Sequence, residues 1–176
     1  MKLRLIIVLS AMALASILLF GGWSVYQENG VKKPLIQSIQ QFEGVQDVST
    51  IISRDNIHVT VQLAPATPLR YTFQQIASIA EERWPERDLQ VGLNGNEHES
   101  LTQWWSLALF DVAQAMEARQ YTEIPRRLQE LANQDGLTVI TEMDDRNVYI
   151  TLNQHQFSKY IVLPRIAPVV GVWSYD

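Results

Sequence analysis

The stretch NIHVTVQ, residues 56–62, alternates apolar and polar side chains without a break. Successive side chains of a strand point to opposite faces of a sheet, so this alternation predicts a half-buried β-strand. The inward set would be Ile57, Val59, Val61 and Leu63, and the outward set His58, Thr60 and Gln62.

A second stretch, NVYITLN at residues 147–153, follows the first at a spacing of 91 and has the same order of inward and outward positions. Each stretch lies in a similar setting. A proline opens an apolar helix (Pro34, Pro125), a glycine ends it (Gly44, Gly136), and a hairpin follows. This order favours a duplicated helix-strand-strand unit, with convergence as the alternative, since any half-buried strand alternates.

Further elements are predicted around these two units. Thr67-Pro68 is a predicted N-cap and first turn, and Ser100 with Gln103 has the form of a capping box. The predicted order is a helix from Pro34, strands 48–53 and 57–63, a helix over 68–84, a strand over 89–93, helices over 101–119 and 122–134, and strands over 137–142, 147–153 and 157–163.

This order predicts an α+β fold, in which helices and antiparallel sheet form a two-layer domain over residues 34–176, with possible halves 34–96 and 97–176. The apolar residues 166–173 would be an extended tail laid over the domain. The order of the first five elements resembles that of the small αββαβ modules of ring-forming secretion and sporulation proteins and of some envelope-binding domains. That resemblance is one of order alone and implies no residue role.

The chain in front of this domain has no charged side chain from Leu5 to Gln27, a length sufficient to cross a hydrocarbon core of about 30 Å. We therefore predict a membrane anchor over residues 1–27, followed by a short linker over 28–33. The membrane-spanning residues would be Leu5, Ile6, Ile7, Val8, Leu9, Leu14, Ile17, Leu18, Leu19 and Phe20.

The orientation of this anchor follows from Lys2 and Arg4, which favour a cytoplasmic N-terminus and an extracytoplasmic domain, although Lys32 and Lys33 partly offset that bias. A cleaved signal peptide is the alternative. Its small-x-small site would be Ala11-Met12-Ala13 or Ala13-Leu14-Ala15, both inside the apolar run and so out of place for cleavage. A buried helix of a soluble protein would need a shorter or interrupted run.

The charge of the domain limits its partners. All 19 acidic residues but only 12 of the 14 basic residues follow position 27, which leaves a net charge of −7 there. Nucleic-acid binding depends on phosphate neutralisation, so we expect no nucleic-acid partner. The absence of cysteine excludes disulfides, thiolate nucleophiles and lipid attachment to cysteine.

Residues suited to catalysis or metal binding are few. His98-Glu99 begins like a zinc-protease motif, but Thr102 stands where the second histidine is required. Asp144-Asp145 lacks the later ligands of a calcium loop and is predicted to be a hairpin turn. His58 is predicted to be a surface residue. We therefore predict no cofactor, no metal and no catalytic site, with a hydrolase built on histidine and carboxylates, or a small-ligand sensor, as alternatives.

The helix over 101–119 carries the strongest functional signal. At about 100° per residue, its large apolar side chains spread over more than half the circumference, so some must meet a second surface. They would be core, or they would contact a protein partner or another copy of this chain. The candidate contact residues are Trp104, Trp105, Leu107 and Phe110. The predicted function is that of a membrane-anchored, non-catalytic interaction or assembly module of the cell envelope.

Overall fold

The computed structural model describes residues 32–53 and 56–165, together with Met12 and Ser16. The rest of the predicted membrane anchor and the predicted tail over 166–173 lie outside the described residues. Within the part of the chain that is described, no helix combines the length and apolarity that crossing a bilayer requires.

The described residues form an α+β fold of four helices and six strands, which confirms the predicted class and order. Element ends differ from the predictions by a few residues. The elements are α1 (Lys33–Gln40), β1 (Val45–Ile52), β2 (Asn56–Leu63), α2 (Leu69–Arg83), β3 (Asp88–Asn94), α3 (Glu99–Glu117), α4 (Glu123–Asp135), β4 (Thr138–Met143), β5 (Asn147–Gln154) and β6 (Phe157–Pro164).

The first sheet has the order β1-β2-β3. The predicted inward set of β2 is buried and His58 is exposed, as expected. The sheet is not purely antiparallel, however, because β3 pairs with β2 in parallel. The reason is that α2 carries the chain back across the sheet between them, as a parallel connection requires. The inner face packs against α1 and α2 through Leu35, Ile39, Leu69 and Ile76.

The second sheet, β4-β5-β6, is antiparallel throughout, and its central strand is buried on both faces. Val148, Ile150 and Leu152 pack with α3 and α4. Tyr149 and Thr151, predicted to face outward, are only 1% and 4% exposed. This part of the prediction is wrong because the first half of the domain covers their side of the sheet.

The contact that covers this second face comes from α2. Phe73 meets the Tyr149 ring edge-on, with centroids 5.6 Å apart, and Tyr149 belongs to the same apolar cluster as the first sheet. α2 therefore packs between the two sheets, while α3 and α4 cover the far side of the second sheet.

The connection between the two halves is tight at Gly95. A side chain there would place its Cβ 2.1 Å from the Ser158 carbonyl oxygen, so only glycine fits without a backbone shift. Next to it, the Ser158 amide donates to the Asn96 carbonyl at 3.1 Å. Two residues further along β6, the Tyr160 hydroxyl donates a hydrogen bond to the carbonyl of Ala64, which follows β2 in the first half, at 2.5 Å. Polar contacts as well as apolar burial thus join the halves.

The predicted helix ends are partly right. Gly136 caps α4 with a left-handed backbone, φ +63°, as expected. Thr67 does not cap α2, since its hydroxyl donates back to the Ala64 carbonyl at 2.6 Å and Pro68 occupies the cap position. The side chain of Thr67 thus holds the turn before α2 instead of the helix itself.

The double burial of β5 predicts the effect of two neighbouring substitutions. In a fragment starting at Glu28, Ile150→Asp should abolish folding, since an unpaired buried charge costs several kcal/mol against a total of about 5–15 kcal/mol. Thr151→Asp should also lower the thermal midpoint strongly. Thr138→Asp, at an exposed position of β4, is the control and should stay close to wild type. Circular dichroism melts measure all three, and a wild-type midpoint for Thr151→Asp would contradict burial of this face.

The shared core also predicts that the fragment unfolds in one step. Tyr149 and Tyr160 from the second half complete the cluster under the first sheet, so the first half does not retain its whole core alone. Calorimetry should give a single transition whose van't Hoff and calorimetric enthalpies agree. Two resolved transitions would show that the halves 34–96 and 97–176 fold independently.

Candidate functional site

α3 is fixed at its start by His98. The His98 Nδ1 atom accepts a hydrogen bond from the Ser100 amide at 3.3 Å, and the helix begins at Glu99. Ser100 lies inside the first turn and donates its hydroxyl to Gln154 Oε1 at 3.1 Å, which ties the helix to the end of β5. The predicted capping box is therefore wrong, since Gln103 instead bonds Glu99 at 3.0 Å.

The buried side of α3 is narrow. Leu101, Ala108, Val112 and Ala115 are buried at helical spacing and pack against α4 and the second sheet. Two of these four side chains are alanines, which bring the helix backbone close to its neighbours. A single stripe of this kind has no room for all the large apolar side chains of the helix.

The structure separates the four candidate contact residues into two pairs. Trp104 and Trp105 are partly buried and pack against the second core, and Trp104 Nε1 donates to Asp135 Oδ2 at 3.0 Å. Leu107 and Phe110 are 74% and 78% exposed. Because they stand three positions apart on a helix, they are neighbours on its surface.

Leu107 also borders a groove of about 340 Å³ between α3 and the end of α4. Trp104 and Leu137 supply further apolar surface, and Asp135 and Gln154 supply polar groups. Leu109 is 39% exposed but lies about 160° from Leu107 around the helix, on a different side. We refer to Leu107 and Phe110 as the outer face of α3.

The outer face of α3 carries no charge. Between Glu99 and Glu117 the helix has one charged side chain, Asp111, which lies 3.9 Å from Arg127 on α4. The domain as a whole is acidic, so this uncharged surface contrasts with its surroundings. Exposed apolar patches bordered by polar residues are typical of protein interaction sites.

A second concave region lies between α2 and the β4–β5 turn, with a volume of about 760 Å³. Its central group is Asp144, whose carboxylate accepts hydrogen bonds from the Tyr149 hydroxyl at 2.7 Å and from Gln74 Nε2 at 2.9 Å. The backbone amides of Arg146 and Asn147 bond its other oxygen. The predicted hairpin turn at Asp144-Asp145 is thus confirmed, and it also fastens the second sheet to α2.

These contacts change the pKa of two side chains, Asp144 and Tyr149. Desolvation would raise the pKa of Asp144, but the four hydrogen bonds together outweigh it and lower the pKa to about 2. Burial, followed by the bond to Asp144, raises the pKa of Tyr149 to about 12. Both residues therefore keep their neutral-pH states, carboxylate and phenol. We refer to the bonds of Asp144 with Tyr149 and Gln74 as the Asp144 joint, because they connect the second sheet to α2.

The histidines lie apart from this cleft. His58 is on the open face of the first sheet, His98 caps α3, and His155 stands in the β5–β6 turn with a φ of +55°. Within residues 32–53 and 56–165, no three histidine or carboxylate side chains converge as metal ligands would.

Comparison with known protein families, with curated proteins and with solved structures finds no significant match to this chain.

The lowered pKa of Asp144 predicts an acid-dependent loss of stability. Its carboxylate contributes fully above its ordinary pKa of 3.8, and the contribution is lost as the pH falls toward about 2. In Asp144→Asn, the unfolding free energy should be lower at pH 7 and should fall less between pH 5 and 2. Asp145→Asn, exposed in the same turn, is the control and should keep the wild-type acid profile in urea titrations. Equal profiles for wild type and Asp144→Asn would show that the joint does not stabilise the fold.

Proposed function

We propose that this protein is a single-pass, membrane-anchored component of the cell envelope, whose extracytoplasmic α+β domain is a non-catalytic interaction module. The outer face of α3 is its contact for a protein partner. The observation that carries this proposal is the exposure of Leu107 and Phe110 on a helix that is otherwise held in place on several sides.

The rigidity of α3 supports this role. Its buried stripe, its cap at His98 and the Trp104–Asp135 hydrogen bond fix the helix without help from Leu107 or Phe110. A preformed contact surface loses little conformational entropy on binding. Fully burying a large apolar side chain contributes about 1.5–3 kcal/mol, so these two residues can supply a central part of a binding energy.

The lack of charge on this surface indicates the kind of partner. An apolar groove or helix face would bury Leu107 and Phe110 without leaving a charge unpaired. The net charge of −7 after position 27 supports a protein partner over nucleic acid. The apolar run from Leu5, with Lys2 and Arg4 before it, supports a partner in the same membrane or close to it.

The proposed duplication receives support from topology. α1-β1-β2 and α4-β4-β5 have the same order, and each ends on the central strand of a three-stranded sheet. The third strand differs, because β3 is parallel to β2 whereas β6 is antiparallel to β5. The outer face of α3 belongs to the chain between the two units, where the repeat has no counterpart.

The test uses the full chain in its own membrane. Leu107→Ser with Phe110→Ser should reduce recovery of cross-linked partner at least tenfold, while the thermal midpoint changes little because both side chains are exposed. Thr102→Ala is the matched control, since it is exposed on the same helix but points about 140° away from Leu107 and lies about 12 Å along the helix from Phe110. Unchanged recovery in the double variant, or a loss that only follows lowered stability, would exclude this contact.

A further inference from the structure

The edges of the two sheets are protected to different degrees. β1 has an irregular register between Val45 and Asp47, and Asp47 adds a charge. β3 begins at Asp88 and contacts β6. β6 carries Lys159 and ends at Pro164. Near its start, the Ser158 amide donates a hydrogen bond to the Asn96 carbonyl. Irregular register, charge, proline and coverage are the usual means by which strand edges avoid pairing with other strands.

β4 has little of this protection. All six of its residues pair with β5 in an unbroken antiparallel register, and β5 is its single strand partner among the described residues. The strand reads TVITEM, with Glu142 as its one charge and no proline. Its outer edge therefore offers a regular row of backbone groups to a further strand.

One row of side chains across the second sheet is buried on β6 and β5 but exposed on β4. Ile140, Thr151 and Tyr160 stand opposite one another on three adjacent strands. Tyr160 and Thr151 are buried, whereas Ile140 is 47% exposed. A strand added beyond β4 would complete the burial of this row.

The sequence of β4 is complementary to itself. In an antiparallel pair of two β4 strands with Ile140 on the two-fold axis, Ile140 meets Ile140, Val139 meets Thr141, and Thr138 meets Glu142. No like charges stand opposite each other. An in-register parallel pair would instead place Glu142 beside Glu142, which is unfavourable.

We propose that β4 pairs antiparallel with β4 of a second copy of this chain, with Ile140 on the two-fold axis, to form a continuous six-stranded sheet. The interaction closes on itself, so it gives a dimer and not a fibre. The edge of β4 is separate from the outer face of α3, and its pairing does not depend on the function proposed for that face.

Cysteine cross-linking tests the pairing, because the chain contains no cysteine of its own. Residues directly opposite in an antiparallel pair have Cα atoms about 4.5–5.5 Å apart, within the about 4.4–6.8 Å that a disulfide spans. In the full chain in membranes, Ile140→Cys should give a covalent dimer under mild oxidation. Thr138→Cys is the matched control on the same face. Two copies of residue 138 would be about 13 Å apart along the strands, too far for a disulfide.

A second measurement does not depend on thiol chemistry. Ile140→Lys should weaken dimerisation of the full chain in detergent at least tenfold by sedimentation, while the midpoint of unfolding stays near wild type. Thr138→Lys should weaken it less. A folded Ile140→Cys protein that gives no dimer would overturn the proposal. Cross-linking through Phe110→Cys but not Ile140→Cys would overturn it as well, and would place self-association on α3.

Discussion

The burial of β5 on both faces is the constraint on which the rest of the fold depends. One face is aliphatic and lies under α3 and α4, and the other presents Tyr149 and Thr151 to the first half of the domain. A phenol hydroxyl buried without a partner is costly, so Tyr149 needs an acceptor. Asp144 supplies it from the adjacent turn, and the same carboxylate also accepts a hydrogen bond from Gln74 of α2. Asp144 thus accepts the hydrogen bond that the buried Tyr149 hydroxyl requires, and its bond to Gln74 also holds α2 between the sheets.

The alternation of residues 56–62 and 147–153 was sufficient to predict both central strands, because a buried face selects apolar side chains at every second position. It could not show what covers the opposite face. Threonine and tyrosine are as suitable for a packed interface as for solvent, and thus Thr60 and Thr151 look alike in sequence. Thr60 is partly exposed and Thr151 is buried, on the face of β5 where Tyr149 meets Phe73 of α2, a residue distant in sequence.

The helix caps and the direction of β3 also depend on contacts that the sequence pattern does not reveal. Thr67 and Ser100 have the residue types of N-caps, but each uses its hydroxyl elsewhere, on Ala64 and on Gln154. The direction of β3 follows from the path of α2, which periodicity does not encode. For α3, the sequence predicts an excess of apolar side chains over one stripe. Which of them remain outside depends on the alanines Ala108 and Ala115 and on the position of α4, so Leu107 and Phe110 could be separated from Trp104 and Trp105 only in three dimensions.

The two proposed surfaces differ in kind and can act together. The outer face of α3 would bind through side chains, whereas the edge of β4 would bind through its backbone. α3 and α4 cover one side of the second sheet, and a two-fold axis through Ile140 perpendicular to the sheet keeps that side common to both copies. A dimer built through β4 would therefore present two outer faces of α3 in the same direction. Such a pair binds a repeating or dimeric partner with a higher effective concentration than either face alone, so weak contacts at each site would suffice for stable assembly.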